Sequence, residues 1–278
     1  MRKITWKKIK FKLGAFFSIY IESAPYKNWF NPLITFYINF RSFPLRQAIK
    51  FPLFAYGWPR IFSLYGDMEC IGTCKTGMIK LNRTIDGAPS HTGTATEINN
   101  WGKILFHGPC KIHTANKINV YSTGTLNLGS DTMIMHHCNI TAHKSVSIGD
   151  KSWITHRCQV IDSNFHFIAD FEKGSVKKYS QPISIGNSCW ICNSTTIAAG
   201  STIPDFTIVA SNSLVNRDMS NIPPESLIGG IPAKFLRSGL RRIYSKSFEK
   251  EIWKYFSEHP ETNIFPLPNE INHDQCNC

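Results

Sequence analysis

Aliphatic residues at every sixth position dominate the hydrophobic pattern of residues 182–218. The repeated positions are Ile185, Ile191, Ile197, Ile203, Val209 and Val215. Small residues follow four positions after the first five of these, at Cys189, Thr195, Ser201, Thr207 and Ser213. A period of six matches neither a simple strand nor a helix, but it is typical of a prism in which three short strands close each coil. We therefore predict an all-β solenoid, a left-handed parallel β-helix of hexapeptide repeats.

The same spacing continues towards the N-terminus, with longer steps between some of the repeats. Folding the inward positions in threes predicts a first face that contains Leu128, Ile148, Ile185 and Ile203. The second predicted face contains Ile112, Ile134, Ile154, Ile191 and Val209. The third predicted face contains Val120, Ile140, Val160, Ile197 and Val215. This register closes only if residues 162–182 leave the prism as an extruded loop.

Changes in composition divide the chain into four parts. Residues 1–70 are basic and aromatic and are expected to form a helical N-terminal cap region, and residues 71–217 are expected to form the β-helix with its extruded loop. Residues 218–260 form a tail in which apolar residues at helical spacing over 240–256 predict a C-terminal helix. Residues 261–278 are expected to form a loose tail.

The chain is strongly basic, with a formal net charge of +12 and a pI near 9.3. This charge favours acidic partners such as nucleotide-like cofactors, anionic glycans or a membrane surface. Nucleic acid is not expected, because no known nucleic-acid-binding fold is visible. The N-terminal segment lacks the ~18–20-residue apolar run that spans a bilayer, and it lacks a signal-peptide cleavage site. Two interpretations stay open for it: a basic amphipathic element at a membrane surface, or a cap on the open end of the solenoid.

The nine cysteines do not suggest a disulfide framework. Cys110, Cys138, Cys158 and Cys189 occupy positions at which the repeat requires a small side chain, so we expect reduced thiols in a reducing compartment. Cys189 and Cys192 have the spacing of a redox dithiol, but they belong to different hexads and lack the usual βαβ context. We therefore expect a cytoplasmic protein, at the inner face of the membrane if the basic N-terminus binds lipid.

The candidate chemistry lies in the extruded loop, because a long loop within a compact domain is usually functional. His166 is the only histidine of residues 162–182, and imidazole is suited to proton transfer near neutral pH. Asp162 and Asn164 are close enough in sequence to orient its ring. We therefore predict His166 as a general base, with an ordinary surface histidine as the alternative.

Four segments resemble the hexapeptide-repeat acyltransferases: the repeat itself, DSNFH in the loop, PISIGNSCWI after it, and GGIPAKFLR near the C-terminus. The similarity covers roughly residues 98–237, and the branch it resembles most is the sugar O-acetyltransferases of bacterial capsule, lipopolysaccharide and exopolysaccharide assembly. The resemblance implies a homotrimer with acetyl-CoA between neighbouring prisms, and it implies that His166 is the general base. It also matches Trp190 to the tryptophan of the family's V-W-I-G element, which shapes a pocket; packing at a corner is the alternative role.

The resemblance also implies a set of coenzyme A contacts. By position these are Asn193, Ser211, Asn216, Arg217, Lys234 and Arg237. The basic members would bind the phosphates of CoA. The chain departs from the family pattern at Cys192, which replaces a glycine, and at Ser211-Asn212, which replaces Ala-Gly.

The hexad register supports such a track independently of the resemblance. His136, His156, Asn193 and Ser211 all take the third position of their hexads on one face, so we expect a polar row along the prism. An extended pantetheine arm would fit along such a row.

The predicted function is acetyl-CoA-dependent O-acetylation of a hydroxyl on a bacterial surface-glycan sugar. Direct transfer needs no acyl-enzyme, so no cysteine nucleophile and no metal are expected. Three alternatives stay open: a small xenobiotic or antibiotic hydroxyl as acceptor, a non-catalytic glycan-binding β-helix, and a zinc enzyme like the γ-type carbonic anhydrases. The last would use residues such as His136, His137, His143 and His156, but Trp190 and the CoA-like tail oppose it.

Overall fold

The structure is a computed structural model that describes residues 28–84, 94–267 and 276. The helices in these residues are α1 (Pro32–Ser42), α2 (Leu45–Ala48) and α3 (Lys246–Glu258). The strands, in chain order, are β1 (Leu53–Ala55), β2 (Arg60–Leu64), β3 (Asp67–Cys70), β4 (Ile79–Arg83), β5 (Glu97–Asn100), β6 (Lys103–Phe106), β7 (Cys110–His113), β8 (Lys117–Val120), β9 (Thr125–Leu128), β10 (Thr132–Ile134), β11 (Asn139–Ala142), β12 (Ser145–Ile148), β13 (Trp153–Ile154), β14 (Gln159–Ile161), β15 (Ala169–Asp170), β16 (Ser175–Val176), β17 (Ile183–Ile185), β18 (Trp190–Ile191), β19 (Thr196–Ala198), β20 (Thr202–Ile203), β21 (Ile208–Val209), β22 (Leu214–Val215), β23 (Leu227–Gly230) and β24 (Ala233–Arg237).

Three sheets form the sides of a prism, and successive strands of each coil enter them in turn. Sheet I has the order β1-β4-β7-β10-β13-β18-β21-β23-β24, sheet II β2-β5-β8-β11-β14-β19-β22, and sheet III β3-β6-β9-β12-β17-β20. Neighbouring strands in these sheets are parallel, except for the antiparallel β23–β24 pair at the C-terminal end. This is the predicted β-helix.

The first two predicted faces are confirmed by the strand register. In sheet III, Ile148 pairs with Leu128 and with Ile185, which in turn pairs with Ile203. In sheet I, the predicted column from Ile112 to Val209 pairs residue by residue. These side chains are buried in one continuous core along the prism axis. Burial of aliphatic surface of this extent is the main stabilising contribution to such a solenoid.

The third predicted face is wrong at one position. Ile140 pairs with Ile118, whereas Val120 pairs with Ala142. The physical reason is that β8 is a four-residue strand, so its alternate residues Ile118 and Val120 both point into the core and both are buried. The six-residue spacing therefore passes through Ile118, and the extra residues of this coil lie in the turn that follows β8.

The corners of the prism explain the small residues of the repeat. Three residues after an inward aliphatic, the backbone takes a positive φ, as at Ser188 (52°), Ser194 (59°) and Asn212 (57°). The following residue, Cys189 or Thr195 in the first two cases, is fully buried under the corner. A small side chain is required there because the chain turns over it.

The N-terminal end of the solenoid is closed by α1 and α2. The side-chain amide of Asn39 donates to the carbonyl oxygen of Leu53 (2.7 Å) and accepts from its N–H (3.2 Å), so it continues the ladder of sheet I. Gln47 makes the equivalent pair of bonds with Cys70 in sheet III, both at 2.8 Å. This is the predicted capping function for residues 32–48. The basic segment that was considered for membrane contact lies in residues 1–27, outside the described residues.

The C-terminal helix begins later than its apolar stripe predicted. Residues 240–245 are not helical, and α3 begins at Lys246, where Ser245 caps it by accepting from the N–H of Phe248. The preceding segment is instead held on the outside of sheet I, where the Tyr244 ring meets the Trp153 ring edge-on at 6.0 Å. No helix in the described residues is long and apolar enough to cross a bilayer.

Candidate active site

The extruded loop leaves the prism between β14 and β17, at the corner that we call the II–III edge. β14 pairs directly with β19 of the next coil, with Val160 opposite Ile197, so the loop does not interrupt the ladder. Within the loop, β15 and β16 form a short antiparallel hairpin. The loop is therefore an ordered appendage on an uninterrupted prism.

Asp162 anchors the base of this loop. Its side chain is fully buried, Oδ1 accepts from the N–H of His143 (2.7 Å), and Oδ2 accepts from the N–H groups of Lys144 (2.7 Å) and Ser145 (2.8 Å). Both carboxylate oxygens therefore bind the turn of the coil before it. These contacts anchor the loop, and they do not involve the His166 ring, which Asp162 was predicted to orient.

His166 and Asn164 lie on the exposed part of the loop and line one cavity of about 280 Å³. Lys177, Lys178 and Tyr179 line the same cavity. With Asp170 and Gln181, the cavity combines an imidazole, two amides, a phenol, a carboxylate and two cations, and we call it the loop cleft. Its composition suits a polar, hydroxylated ligand.

Tyr179 and His143, for which the sequence predicted no such role, hold the loop in place. Tyr179 Oη lies 3.3 Å from His143 Nε2, and its carbonyl oxygen accepts from the N–H of Asn164 (2.8 Å). The His143 ring also stacks on Tyr121 at 4.6 Å. His143 lies at the II–III edge of the coil before the loop, so folding the chain into coils would have placed it beside the loop.

The predicted polar row is present at the opposite corner of sheet II, the I–II edge. The rings of His136 and His156 stack at 5.4 Å with an interplanar angle of 12°. The backbone N–H of His156 donates to Asn193 Oδ1 at 3.2 Å. Ser211 continues the row in the next coil. Asn193 and Ser211 each lie two residues after a strand position, and these positions, Ile191 and Val209, are paired. His113 extends the row in the other direction, 5.4 Å from His136.

Burial lowers the pKa of two of these imidazoles. The pKa of His113 is lowered to about 3, mainly because the ring is buried. The pKa of His156 is also lowered, first by burial and then by His137 and Arg157. His113 and His136 are buried, so the row reaches the surface of the I–II edge at His156, Asn193 and Ser211.

Trp190 lies apart from both groups, on the outer surface of sheet I. It pairs with Trp153 in the ladder, and the Arg242 guanidinium lies 3.4 Å from the Trp153 ring centroid and 5.4 Å from that of Trp190. The sequence contained no signal for Arg242, because it belongs to no repeat and no motif. The contacts of Trp190 are those of a packed surface aromatic.

The predicted residues at the phosphate end of CoA fall at two separate places. Asn216 and Arg217 follow β22 at the II–III edge and are exposed. Lys234 and Arg237 are exposed on β24, which is the last strand of sheet I. A single prism thus has the loop cleft and Arg217 at the II–III edge, whereas the predicted pantetheine contacts Asn193 and Ser211 lie at the I–II edge, with sheet II between them.

Neither a metal centre nor a disulfide forms among the residues that the structure describes. No group of three or more His, Cys, Asp or Glu side chains in them is arranged to hold a metal ion. The histidines considered for zinc are separated, since His136 and His156 lie at the I–II edge and His143 lies at the II–III edge. The described cysteines are free thiols, including Cys189 and Cys192.

The fold and the hexad register define a hexapeptide-repeat β-helix protein with an extruded histidine loop. In sequence comparisons the chain is 28% identical over 112 residues to galactoside O-acetyltransferase of Escherichia coli K12, over 40% of this chain and 53% of that protein. The chain thus matches about half the length of that relative. It is 24% identical over 157 residues to WbbJ of the same organism, whose name assigns it to O-acetyl transfer in lipopolysaccharide biosynthesis, over 50% of this chain and 74% of that protein.

A solved hexapeptide-repeat-containing acetyltransferase of Vibrio cholerae O1 biovar eltor, in complex with acetyl coenzyme A, is 27% identical. The matched region covers 49% of this chain and 70% of the Vibrio cholerae chain, with a TM-score of 0.37. No protein-family model matches the sequence. The repeat and the β-helix are those of a hexapeptide-repeat protein, and the chain is similar in sequence to two O-acetyltransferases.

Proposed function

We propose that this protein is an acetyl-CoA-dependent O-acetyltransferase that acts on a hydroxyl of a bacterial surface-glycan sugar, with His166 as its general base. The observation that carries the proposal is His166 in the loop cleft, on a loop that is anchored at Asp162 and Tyr179 but exposed at its tip. The two sequence relatives, both named for O-acetyl transfer, support the reaction class.

In the proposed reaction, His166 accepts the proton of the acceptor hydroxyl as its oxygen attacks the thioester carbonyl of acetyl-CoA. General-base assistance of this kind contributes typically ~10²–10⁴-fold to the rate. The tetrahedral intermediate then collapses, the carbon–sulfur bond breaks, and the proton passes from His166 to the departing thiolate of CoA. Lys177 and Lys178 place positive charge at the same cleft, which favours an electron-rich acceptor.

We further propose that the active unit is a homotrimer in which the loop cleft of one prism faces the polar row of the next. The reason is geometric: the loop lies at the II–III edge and the polar row lies at the I–II edge of the same prism. A ligand as long as acetyl-CoA needs a second wall, which a neighbouring prism would supply. Asn193 and Ser211 would then contact the pantetheine arm, and Arg217, Lys234 and Arg237 the phosphates. For Trp190, the contacts with Trp153 and Arg242 support a packing role.

The general-base assignment is tested by His166→Ala. We expect turnover to fall by at least ~100-fold, while CoA binding and the melting temperature stay close to those of the wild type. His107→Ala is the matched control, because His107 is an exposed histidine outside the loop. Product formation by mass spectrometry with a galactoside or an oligosaccharide acceptor is the readout. Near-wild-type turnover in His166→Ala would refute the assignment.

The shared site is tested by mixing two inactive variants. His166→Ala removes the base, and Asn193→Trp blocks the polar row on the other edge. If each site combines the loop of one subunit with the row of its neighbour, random co-assembly should restore about a quarter of wild-type activity. If one prism contains the complete site, the mixture stays inactive. Light scattering of the same samples reports the number of subunits.

A further inference from the structure

A second cavity, of about 410 Å³, opens on the outer face of sheet I. It extends over the neighbouring strands β4, β7, β10 and β13 and is bordered by Tyr244 and Lys246. We call it the sheet I groove. It contains none of the residues assigned above to the loop cleft or to the CoA track, so it is a separate site.

The groove has a cationic half and an apolar half, because of the ladder register. Outward-facing side chains at equivalent positions of the four strands are Lys80, Lys111, Met133 and Trp153. Two lysines are therefore neighbours across β4 and β7, followed by a thioether and an indole. Like charges at directly opposite positions of a sheet repel each other, so the interaction between Lys80 and Lys111 does not itself stabilise the prism.

Further cations reinforce this half. Lys246 lies close enough to Lys111 to lower its pKa, Lys151 lines the groove on the coil of Trp153, and the carboxylate in the lining is Asp131. Lys246 is the first residue of the thirteen-residue helix α3, so the positive end of the helix dipole lies at the same place. Within the described part of the chain, neither Lys111 nor Lys246 forms an ion pair.

The electrostatics of Lys111 agree with this picture. Its pKa is lowered first by burial in the groove and then by the nearby charges of Lys246 and Arg83, and the opposite effect of Asp131 is smaller. A bound anion would relieve both the repulsion and the unpaired charge. The groove thus has the charge pattern of an anion-binding site.

The length and composition of the groove favour an extended ligand with a flat apolar face. Four strands at ~4.8 Å spacing give a span of roughly 15 Å. Met133, Trp153 and Tyr244 line the apolar half and suit the C–H face of a sugar ring, while the lysines suit its carboxylate. We propose that the sheet I groove binds a segment of an acidic glycan, and thereby holds the polymer whose hydroxyl groups are acetylated. The acceptor class rests on the proposed function, but the binding itself does not require turnover.

The test is calorimetric titration with a hexasaccharide of polygalacturonate, with maltohexaose as the neutral probe of equal length. We expect the wild type to bind the acidic hexasaccharide and not maltohexaose, with an affinity that falls as ionic strength rises. The double variant Lys111→Gln, Lys246→Gln should lose at least ~10-fold in affinity. The charge-matched control is Lys103→Gln, Lys117→Gln on sheets III and II, which should change it less than ~2-fold. Melting temperatures of both variants exclude misfolding.

Equal binding by both double variants would overturn the proposal, as would equal binding of the acidic and neutral probes. Displacement of the hexasaccharide by adenosine 3′,5′-bisphosphate in the wild type but not in Lys111→Gln, Lys246→Gln would also overturn it, since it would show a nucleotide site. Failure of the proposed function is distinguishable from these results. A wild-type protein that binds the acidic probe through Lys111 and Lys246 but acetylates no acceptor keeps the groove and loses the reaction.

Discussion

Asp162→Asn is expected to loosen the base of the extruded loop and to destabilise the protein. The native carboxylate accepts three backbone N–H groups at 2.7–2.8 Å from a fully buried position. In the variant, the amide NH₂ replaces one acceptor, so at least one of these N–H groups is left without a partner, and the remaining bonds lose the ionic contribution. An unpaired buried donor costs ~1–3 kcal/mol and hydrogen bonds to charged groups contribute ~1.5–3 kcal/mol, so we expect a loss of roughly 3 kcal/mol.

The assay combines thermal melting with limited trypsin digestion. A loss of this size should lower the melting temperature by about 5–10 °C in a chain of this length. Trypsin should cut faster at Lys173, Lys177 and Lys178, because these lie in the released loop. Asp170→Asn is the control, since Asp170 is in the same loop but only bonds locally to the N–H of Lys173 (3.0 Å).

A specific outcome would refute this reasoning. If Asp162→Asn melts and digests like the wild type but loses turnover with a shifted pH–rate profile, Asp162 orients His166 and does not anchor the loop. The anchoring role requires the opposite order of effects, with stability and loop protection lost first and turnover lost as their consequence.

Three further outcomes are expected. Ile191→Asp should unfold the protein, because an unpaired carboxylate in the core costs several kcal/mol, whereas Asn193→Ala should only weaken acetyl-CoA binding; equal melting points would contradict the register. His113→Gln should reduce the loss of folding stability between pH 6.5 and pH 3. In that range the histidine of the unfolded chain binds a proton, whereas buried His113, with a pKa of about 3, does not. Urea titrations at pH 7 and pH 5 measure the difference in the free energy of unfolding. Replacing Lys234 and Arg237 by Ala should raise the KM for acetyl-CoA more than it lowers kcat and should reduce its salt dependence; an unchanged, salt-insensitive KM would argue against phosphates at this position.

The prism was predictable because both of its requirements, inward aliphatic residues and small corner residues, appear as short-range patterns in the sequence. An inward aliphatic every six residues and a small residue at each corner are repeated often enough to set the register of sheets I and III. The assignment of Val120 was wrong because a four-residue strand points two side chains inwards, and spacing alone does not select between Ile118 and Val120.

The site was less predictable, because its contacts depend on direction and on docking. Asp162 is close to His166 in sequence, but the chain turns at the corner and its carboxylate faces the turn at His143. Arg242 and Tyr244 contact Trp153 only because an irregular segment is laid across sheet I. No periodicity specifies that packing. The charges of the sheet I groove are likewise separated by long intervals in the sequence and become neighbours only in the ladder.

The direct pairing of β14 with β19 has a consequence for how such a protein changes during evolution. Because Val160 lies opposite Ile197 whatever the chain does between them, the loop can lengthen, shorten or change its residues without a missing rung in the prism. The polar row at the I–II edge belongs to the rungs themselves and is under the constraint of the repeat. Changes of length between Asp162 and Tyr179 are therefore compatible with an unchanged prism, whereas a change of length within the rungs is not.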